Sequence, residues 1–181
     1  MNYIIYDLEA TCWQNMPESF KQEIIEIGAF MLDDFGTIKS SFNKFVKPKI
    51  HPVLSNYCTE LTSITQLDVN RANYFDKVVE DFQDWVGIYD DDFVLCSWGS
   101  FDKKQLIVDC ENIFFDTEWI EENFLNLKYQ YNKMKKIKNP LTLKTIVERE
   151  GFEWEGERHR AIDDAYNLTK IFRKYIDSWV I

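Results

Sequence analysis

The chain has 181 residues, 45% of them hydrophobic and 16% aromatic, which is enough for one globular domain with its own core and excludes a disordered chain. Its net charge of −10 argues against a protein that holds nucleic acid through bulk positive charge, because such domains are usually basic. No apolar stretch approaches the roughly 20 residues of a membrane span, so no membrane partner is expected.

Hydrophobic periodicity predicts strands first and then alternating strands and helices. Strands are expected at Tyr3–Leu8, Glu23–Leu32, Ile38–Val46, Phe93–Trp98 and Asn123–Leu127. Helices are expected at Asn73–Tyr89, Asp102–Ile113, 128–138, 141–150 and 160–179, with an irregular or partly helical connection at His51–Val69. The first three strands suit an antiparallel meander, and the whole order predicts an α/β domain with a mixed sheet.

Other features of the sequence indicate a single cytoplasmic domain over residues 1–181. No internal repeat, low-complexity tract or Gly/Ser linker divides the chain. The segment Met1–Asp7 lacks a basic region and soon reaches a charge, so it does not resemble a signal peptide. The cysteines form no CxxC pair and are expected to be reduced thiols: Cys12, Cys58, Cys96 and Cys110.

Two carboxylates stand at the end of the first predicted strand. Asp7 and Glu9 are two residues apart, so their side chains leave one face of the strand roughly 6–7 Å apart, at the carboxyl end where α/β sheets place ligand sites. Neighbouring carboxylates repel each other unless a cation lies between them, and an all-oxygen pair suits Mg²⁺ or Mn²⁺. The alternative is that both are solvated where the strand exits.

The C-terminal helix offers two aspartates, which its apolar stripe distinguishes. The stripe consists of Ala161, Ala165, Leu168, Phe172 and Ile176. Asp164 lies one turn before Leu168 on the flank of this stripe, where a carboxylate is costly unless it is paired or bound to metal. Asp163 shares the opposite face with Asn167 and is predicted to be solvated surface.

Asp102 and His159 are further candidates. Asp102 opens a predicted helix at the carboxyl end of a second strand, although an aspartate in a first turn also stabilises the helix dipole without any further role. His159 follows Gly156 in a predicted turn, and its imidazole, which titrates near neutral pH, could act as a general base. The alternative for His159 is an ordinary surface turn.

These residues lie in three segments that resemble the DEDDh (DnaQ-like, RNase T superfamily) 3′→5′ exonucleases. Asp7–Thr11 resembles the first motif of that family, Trp98–Asp102 the second, and His159–Ala165 the third in its histidine form. The three motifs occur in the family's order and span nearly the whole chain. Their agreement is more specific than any one motif would be.

Two other segments resemble the RNA-trimming branch of that family, which includes the histone-mRNA and small-interfering-RNA 3′ exonucleases and the KapD-like proteins. These are Ala10–Trp13 and Leu54–Thr65. Ser63 departs from the pattern, because the branch commonly carries glycine there. A glycine would let the backbone approach the terminal nucleotide closely.

The resemblance implies an RNase H-like five-stranded mixed sheet flanked by helices. It implies that Asp7, Glu9, Asp102 and Asp164 hold two divalent ions, Mg²⁺ or Mn²⁺, and that all four act in catalysis together with His159. Metal ions rather than lysines would then neutralise the reacting phosphate, which reconciles the acidic chain with nuclease activity. The implied partner is nucleic acid with a free 3′ end, preferably single-stranded RNA, and the implied products are nucleoside 5′-monophosphates.

The resemblance also suggests residues that contact the substrate. It places the backbone of Ala10 and Thr11 near the terminal sugar, and Leu61 and Ile64 near the terminal base. The stacking candidates are Trp98 and Phe101, then Trp13 and Trp154, with core packing as the more common role for such aromatics. The basic run could follow upstream phosphates or form a solvated helix face: Lys133, Lys135, Lys136 and Lys138.

Three other functions stay open from the sequence. A nucleic-acid-binding or regulatory module on the same fold would bind without turnover. A Ca²⁺- or Mg²⁺-stabilised interaction domain would gain thermal stability from metal and release no nucleotide. An endonuclease of the RNase H-like group would cut a circular substrate, which an exonuclease leaves intact.

Overall fold

A mixed sheet forms the centre of the fold. The computed structural model describes residues 1–17, 19–90 and 92–181. The strands are β1 Asn2–Ala10, β2 Ile24–Leu32, β3 Ile38–Lys47, β4 Asn73–Tyr74, β5 Phe93–Ser97 and β6 Phe124–Asn126, in the spatial order β4-β3-β2-β1-β5-β6. β1 pairs antiparallel with β2 and parallel with β5, so the carboxyl ends of β1 and β5 lie at the same edge of the sheet.

Helices pack on both faces of this sheet. They are α1 Asn56–Thr62, α2 Gln66–Arg71, α3 Phe75–Val86, α4 Phe101–Asn112, α5 Glu118–Glu121, α6 Leu127–Met134, α7 Leu143–Arg149 and α8 Ala161–Lys174, followed by a 3-10 turn at Ile176–Ser178. Side chains of α3 and α4 enclose one core cluster, and side chains of α6, α7 and α8 enclose a second cluster on the other face. In the part of the chain that the structure describes, no helix is long and apolar enough to cross a membrane.

The alternation of β1 decides which face carries its carboxylates. Ile4, Tyr6 and Leu8 belong to the cluster under α3 and α4, whereas Ile5 belongs to the cluster under α8. Since side chains two apart on a strand share a face, Asp7 and Glu9 follow Ile5 onto the face that α8 covers. The first helical turn of α8 is therefore the natural source of a further ligand.

The predicted α/β class and mixed sheet are confirmed, but the sheet has six strands rather than five. The prediction of one helix over Asn73–Tyr89 is wrong at its start, because Asn73 and Tyr74 pair in parallel with Val46 and Lys47 as β4. Two residues are too few to show the alternation that identifies a strand. The helix ends early at Val86, because Gly87 adopts a left-handed φ of 74°.

The other predicted elements are present with shifted bounds. The connection His51–Val69 contains α1 and most of α2, and the predicted helix 160–179 gives way to the 3-10 turn after Lys174. The predicted helices 128–138 and 141–150 shorten to α6 and α7. All four cysteines are unpaired, as predicted.

Gly28 lets α8 lie directly on the sheet. It stands opposite Asp7 in the β1–β2 register, and a Cβ at this position would lie 2.1 Å from the backbone nitrogen of Ile162. We expect Gly28→Ala to lower the free energy of unfolding by about 3 kcal/mol, because helix backbone cannot move aside as a flexible side chain can. Urea unfolding of the two proteins measures the difference.

The matched control for Gly28 is Gly151→Ala. A Cβ at Gly151 meets nothing within 4 Å, so only its φ of 85° is strained and a cost of about 1 kcal/mol is expected. Equal costs for the two substitutions would contradict the close approach at Gly28.

Candidate active site

Four carboxylates and one histidine converge at the carboxyl ends of β1 and β5. Glu9, His159 and Asp164 offer ligand atoms that all lie within 4.8 Å of one another. Asp102, in the first turn of α4, accepts a hydrogen bond through Oδ1 from the Leu8 backbone N–H at 3.3 Å, which holds it against β1 beside Asp7. The structure thus brings together the five residues that the sequence singled out.

The cluster consists of acidic residues, but burial and mutual repulsion raise the pKa values of its carboxyl groups and so disfavour their ionisation. Burial, then the charges of Asp102 and Asp164, raise the pKa of Asp7 well above its usual range. Burial, then the charge of Asp164, raises the pKa of Glu9 to about 9. Burial is also the main cause that raises the pKa of Asp102 to about 6 and that of Asp164 to about 7.

The donor set fits divalent cations. Within the described residues, Asp7 and Glu9 accept no hydrogen bond from the protein through their side chains. Of the two arginines beside His159 in the chain, Arg160 is already paired with Glu26. The charge of Arg158 lowers the pKa of Asp164 but does not offset its burial, because that pKa is still raised to about 7. Four oxygen-donating carboxylates without enough protein donors are the ligands that Mg²⁺ and Mn²⁺ prefer. Asp7, Glu9, Asp102 and Asp164 could hold such ions.

His159 lies in the turn before α8, as predicted. Its φ of 61° is left-handed, and its backbone N–H donates to Oδ2 of Asp164 at 2.9 Å, which ties the histidine to the first turn of the helix. Burial, then the charge of Arg158, lowers the pKa of the half-buried imidazole. A histidine with a lowered pKa is neutral near pH 7 and can accept a proton.

Metal is expected to stabilise this protein more at high pH than at low pH. Carboxyl groups with raised pKa values keep their protons in the folded state, so their contribution to stability is lost as pH rises from their ordinary values near 4 through about 6 to 9. Divalent ions bind only the deprotonated groups and offset this loss. The Tm gain from Mn²⁺ over chelator should therefore be larger at about pH 8.5 than at about pH 5.5; an equal gain at both would contradict metal binding in the cluster.

Asp163 is half-exposed, so the prediction of solvated surface is incomplete rather than wrong. Its Oδ2 accepts a hydrogen bond from the Glu157 backbone N–H at 2.9 Å, and a Cβ on Gly156 would lie 2.3 Å from its Cγ. Asn167 on the same face is fully buried and bonds to the backbone of Glu155. The segment before α8 folds back over this face, which the helical pattern alone does not show. Asp163 holds that turn, and Asp164 faces the cluster.

Part of the predicted contact with the terminal nucleotide is inconsistent with the structure. The Ile64 side chain is fully buried beside Ile25 and Cys58, so it offers no surface to a base. The Thr11 N–H donates to the Glu23 carbonyl, and the position of the Ala10 and Thr11 backbone near a sugar stays a prediction. Ala10 is buried at the end of β1. Leu61 in α1 is half-buried, so part of its side chain is open to solvent and could contact a base.

The aromatic candidates separate by exposure. Phe101, adjacent to Asp102 in the chain, is 48% exposed, so its ring is open to solvent. Trp98 is half-buried against the second core cluster with its ring 5.7 Å from that of Tyr131, and Trp154 packs on the same cluster. Trp13 contacts the ring of His51. Core packing therefore accounts for Trp98 and Trp154. Half-buried Trp13 packs on Phe20 and His51 outside the core clusters, and Phe101 stays a candidate for stacking.

Ser63 occupies a position that favours glycine. It closes α1 with a left-handed φ of 58°, which explains why a related sequence would place glycine there. Its Oγ lies 3.5 Å from Oε1 of Glu157, which is in the segment before His159. The serine is accommodated with local strain and without disturbing the carboxylates.

The basic run begins in the last turn of α6 with Lys133 and continues past the end of that helix at Met134. Lys135 lies 4.5 Å from the ring of Tyr175 and 4.0 Å from Glu150, so it has protein partners. The other members are exposed, and a path for phosphates along them stays a prediction: Lys133, Lys136 and Lys138.

Sequence reasoning missed Glu26 and Arg160. Glu26 is fully buried in β2, and its carboxylate binds the Arg160 guanidinium through two hydrogen bonds of 3.1 and 2.9 Å. A charge inside the apolar run Glu23–Leu32 was a signal that a partner existed. Nothing in the sequence indicated that the partner lies 134 residues further along the chain.

The fold and the cluster define a nuclease domain of the RNase H-like class. Over 97% of this chain and 92% of the solved one, the structure superimposes with a TM-score of 0.89 and 29% identity on the nuclease domain of 3′hExo, a DEDDh family member bound to rAMP. The fold implied by the sequence motifs is thereby confirmed.

The chain belongs to the Exonuclease (RNase_T) family, which it matches over residues 4–172. It is 31% identical over 174 residues to 3′-5′ exoribonuclease 1 of Homo sapiens, covering 92% of this chain and 50% of that protein. It is 29% identical to 3′-5′ exonuclease eri1 of Schizosaccharomyces pombe, covering 94% of this chain and 66% of that protein. The chain thus spans about half to two thirds of the length of these relatives.

Proposed function

We propose that this chain is a divalent-metal-dependent 3′→5′ exonuclease, with residues 1–181 as a single catalytic domain, that releases nucleoside 5′-monophosphates. The observation that carries the proposal is the convergence of Glu9, His159 and Asp164, from two distant parts of the chain, to within 4.8 Å. Asp7 and Asp102 complete the carboxylate set beside them. The names of the relatives support the direction of cleavage.

Each residue of the cluster has a proposed role. Asp7, Glu9, Asp102 and Asp164 hold two ions, Mg²⁺ or Mn²⁺. Such ions, when bound, supply activation of water and charge stabilisation at the leaving 3′-oxygen. His159 accepts the proton of the attacking water, which its half-buried and predominantly neutral imidazole is suited to do. The phosphodiester bond breaks as the new P–O bond forms, which leaves the phosphate on the released nucleotide.

The terminal nucleotide is proposed to lie between α1 and the start of α4. Phe101 offers an exposed ring for stacking, and Leu61 on α1 offers apolar surface to the same base. The Lys128 side chain passes the Gly99 turn, where its Cδ would lie 3.9 Å from a Cβ on that glycine, and gives this edge a cation for a backbone phosphate. These few contacts suit an acidic protein that binds only the end of a strand.

Single-stranded RNA is the proposed substrate, and RNA trimming in the cytoplasm the proposed setting. The relative from Homo sapiens is named an exoribonuclease, and the solved domain of 3′hExo is bound to rAMP. The absence of CxxC pairs and the unpaired cysteines are consistent with a reducing compartment.

The proposal is tested with oligonucleotides labelled at either end. Single-stranded RNA and DNA of one sequence are incubated with Mn²⁺ or Mg²⁺ and with chelator, and a circular strand of the same composition controls for endonuclease activity. We expect stepwise release of 5′-mononucleotides from the 3′ end, faster on RNA and blocked by chelator. Binding without release would indicate a non-catalytic module, and cleavage of the circle would indicate an endonuclease.

A further inference from the structure

A fifth carboxylate, that of Glu26, lies beside the cluster, but it is bonded to Arg160 and not to the cluster. Glu26 is opposite Glu9 in the β1–β2 register and has no exposed surface. A buried carboxylate is tolerated only when paired, and its neighbour here is another carboxylate.

Glu26 is satisfied by the segment that begins α8. The Arg160 Nε donates to Oε2 at 3.1 Å and Nη2 donates to Oε1 at 2.9 Å, which is a two-point fork. The Ala161 backbone N–H donates to the same Oε2 at 3.0 Å. Since Arg160 provides no side-chain cap for its own helix, Glu26 caps α8 from β2.

The fork fixes the residues on either side of it. Arg160 stands between His159, with its left-handed φ of 61°, and the first turn that carries Asp164. A left-handed residue other than glycine persists only where its surroundings hold it. Two contacts hold His159 in this conformation. One is the fork of the adjacent Arg160, whose guanidinium also lies 5.1 Å from the centre of the Phe45 ring. The other is the hydrogen bond from the His159 N–H to the Asp164 carboxylate.

We propose that Glu26 and Arg160 are positioning residues that set the His159 imidazole and the Asp164 carboxylate against Glu9. This inference rests on the proposed function. A fork that only stabilised the fold would affect the melting temperature and leave the catalytic rate of folded protein unchanged. A positioning fork affects kcat at saturating metal and substrate, because a displacement of about 1 Å can lower a rate on the order of 10²-fold.

The test replaces the fork while keeping its net charge at zero. The double variant Glu26→Gln/Arg160→Gln removes both charges, and the matched control Glu150→Gln/Lys174→Gln does the same to the pair at the far end of α8, where Lys174 Nζ lies 2.8 Å from Glu150 Oε2. Arg160→Lys keeps the charge without the fork and serves if the double variant does not fold. kcat and KM on single-stranded RNA are measured where circular dichroism shows every variant folded.

We expect the Glu26/Arg160 double variant to lose on the order of 10²-fold in kcat with KM changed by less than about threefold. Arg160→Lys should lose part of this, and the control pair should lose only thermal stability. A kcat within about threefold of the parent in the Glu26/Arg160 double variant, or in Arg160→Lys if the double variant does not fold, would overturn the inference.

Mn²⁺ titration by electron paramagnetic resonance separates this inference from the proposed function. If the parent protein releases no nucleotide, the proposed function fails, and the affinity for Mn²⁺ then decides the positioning role. An affinity at least about tenfold weaker in the Glu26/Arg160 double variant than in the control pair supports it. Equal affinities overturn it.

Discussion

Asp164→Ala is expected to lower the rate of nucleotide release on the order of 10³-fold or more. Asp164 supplies one of three ligand atoms within 4.8 Å of one another, and its carboxylate also accepts the His159 N–H. Its removal therefore leaves an incomplete ligand set and releases the turn that carries the histidine. The measurement is single-turnover release of mononucleotides from single-stranded RNA at saturating Mn²⁺.

The neighbouring Asp163→Ala is the matched control. Asp163 bonds to the Glu157 N–H and faces Gly156, so its loss should lower the Tm and leave release within about tenfold of the parent. Equal losses from the two substitutions would contradict the assignment of Asp164 as the ligand. Asp164→Asn, which keeps the volume and loses the charge, should behave like Asp164→Ala.

His159→Ala is expected to lower kcat by about 10²–10⁴-fold, the range for a lost general base. Metal binding should be retained, because the four carboxylates stay in place and the His159 contribution to Asp164 comes from its backbone N–H rather than its ring. The measurements are kcat on single-stranded RNA and the Mn²⁺ affinity of the same preparation. Unchanged activity would remove His159 from the mechanism, and loss of Mn²⁺ binding would make it a ligand instead.

The pH profile of kcat offers a second view of His159. Burial lowers the pKa of this imidazole, so the neutral form that accepts protons prevails at and above neutral pH. The parent's rate should therefore rise as the imidazole loses its proton, and the rise should vanish from the residual activity of His159→Ala. An identical rise in both proteins would assign it to another group.

Three of the four carboxylates at the site were predictable from local geometry. Asp7 and Glu9 share a face through the two-residue period of a strand, and Asp164 flanks an apolar stripe of period 3.6. Asp102 was ambiguous by itself, since a first-turn aspartate also serves the dipole. Its hydrogen bond from Leu8, 94 residues away, is what joins it to β1. The sequence indicated this only through its place at the carboxyl end of a second predicted strand and through the order of the motifs.

Features that depend on distant parts of the chain were missed or wrong. The Asp163 environment arises from a segment that folds back over α8, and β4 exists only through its pairing with β3. Ile64 and Trp98 are residue types that can contact a nucleotide, but the local sequence does not indicate whether such an apolar side chain turns to the core or to solvent. Glu26 was hidden within an apolar run because its partner comes from the third motif.

The most direct test of the account is a crystal structure with Mn²⁺ and adenosine 5′-monophosphate. Anomalous scattering locates the metal independently of any assumption about its ligands. We predict Mn²⁺ among Asp7, Glu9, Asp102 and Asp164, with the nucleotide phosphate beside it and the base against Phe101. Manganese bound elsewhere, or a nucleotide that does not approach this cluster, would contradict the account.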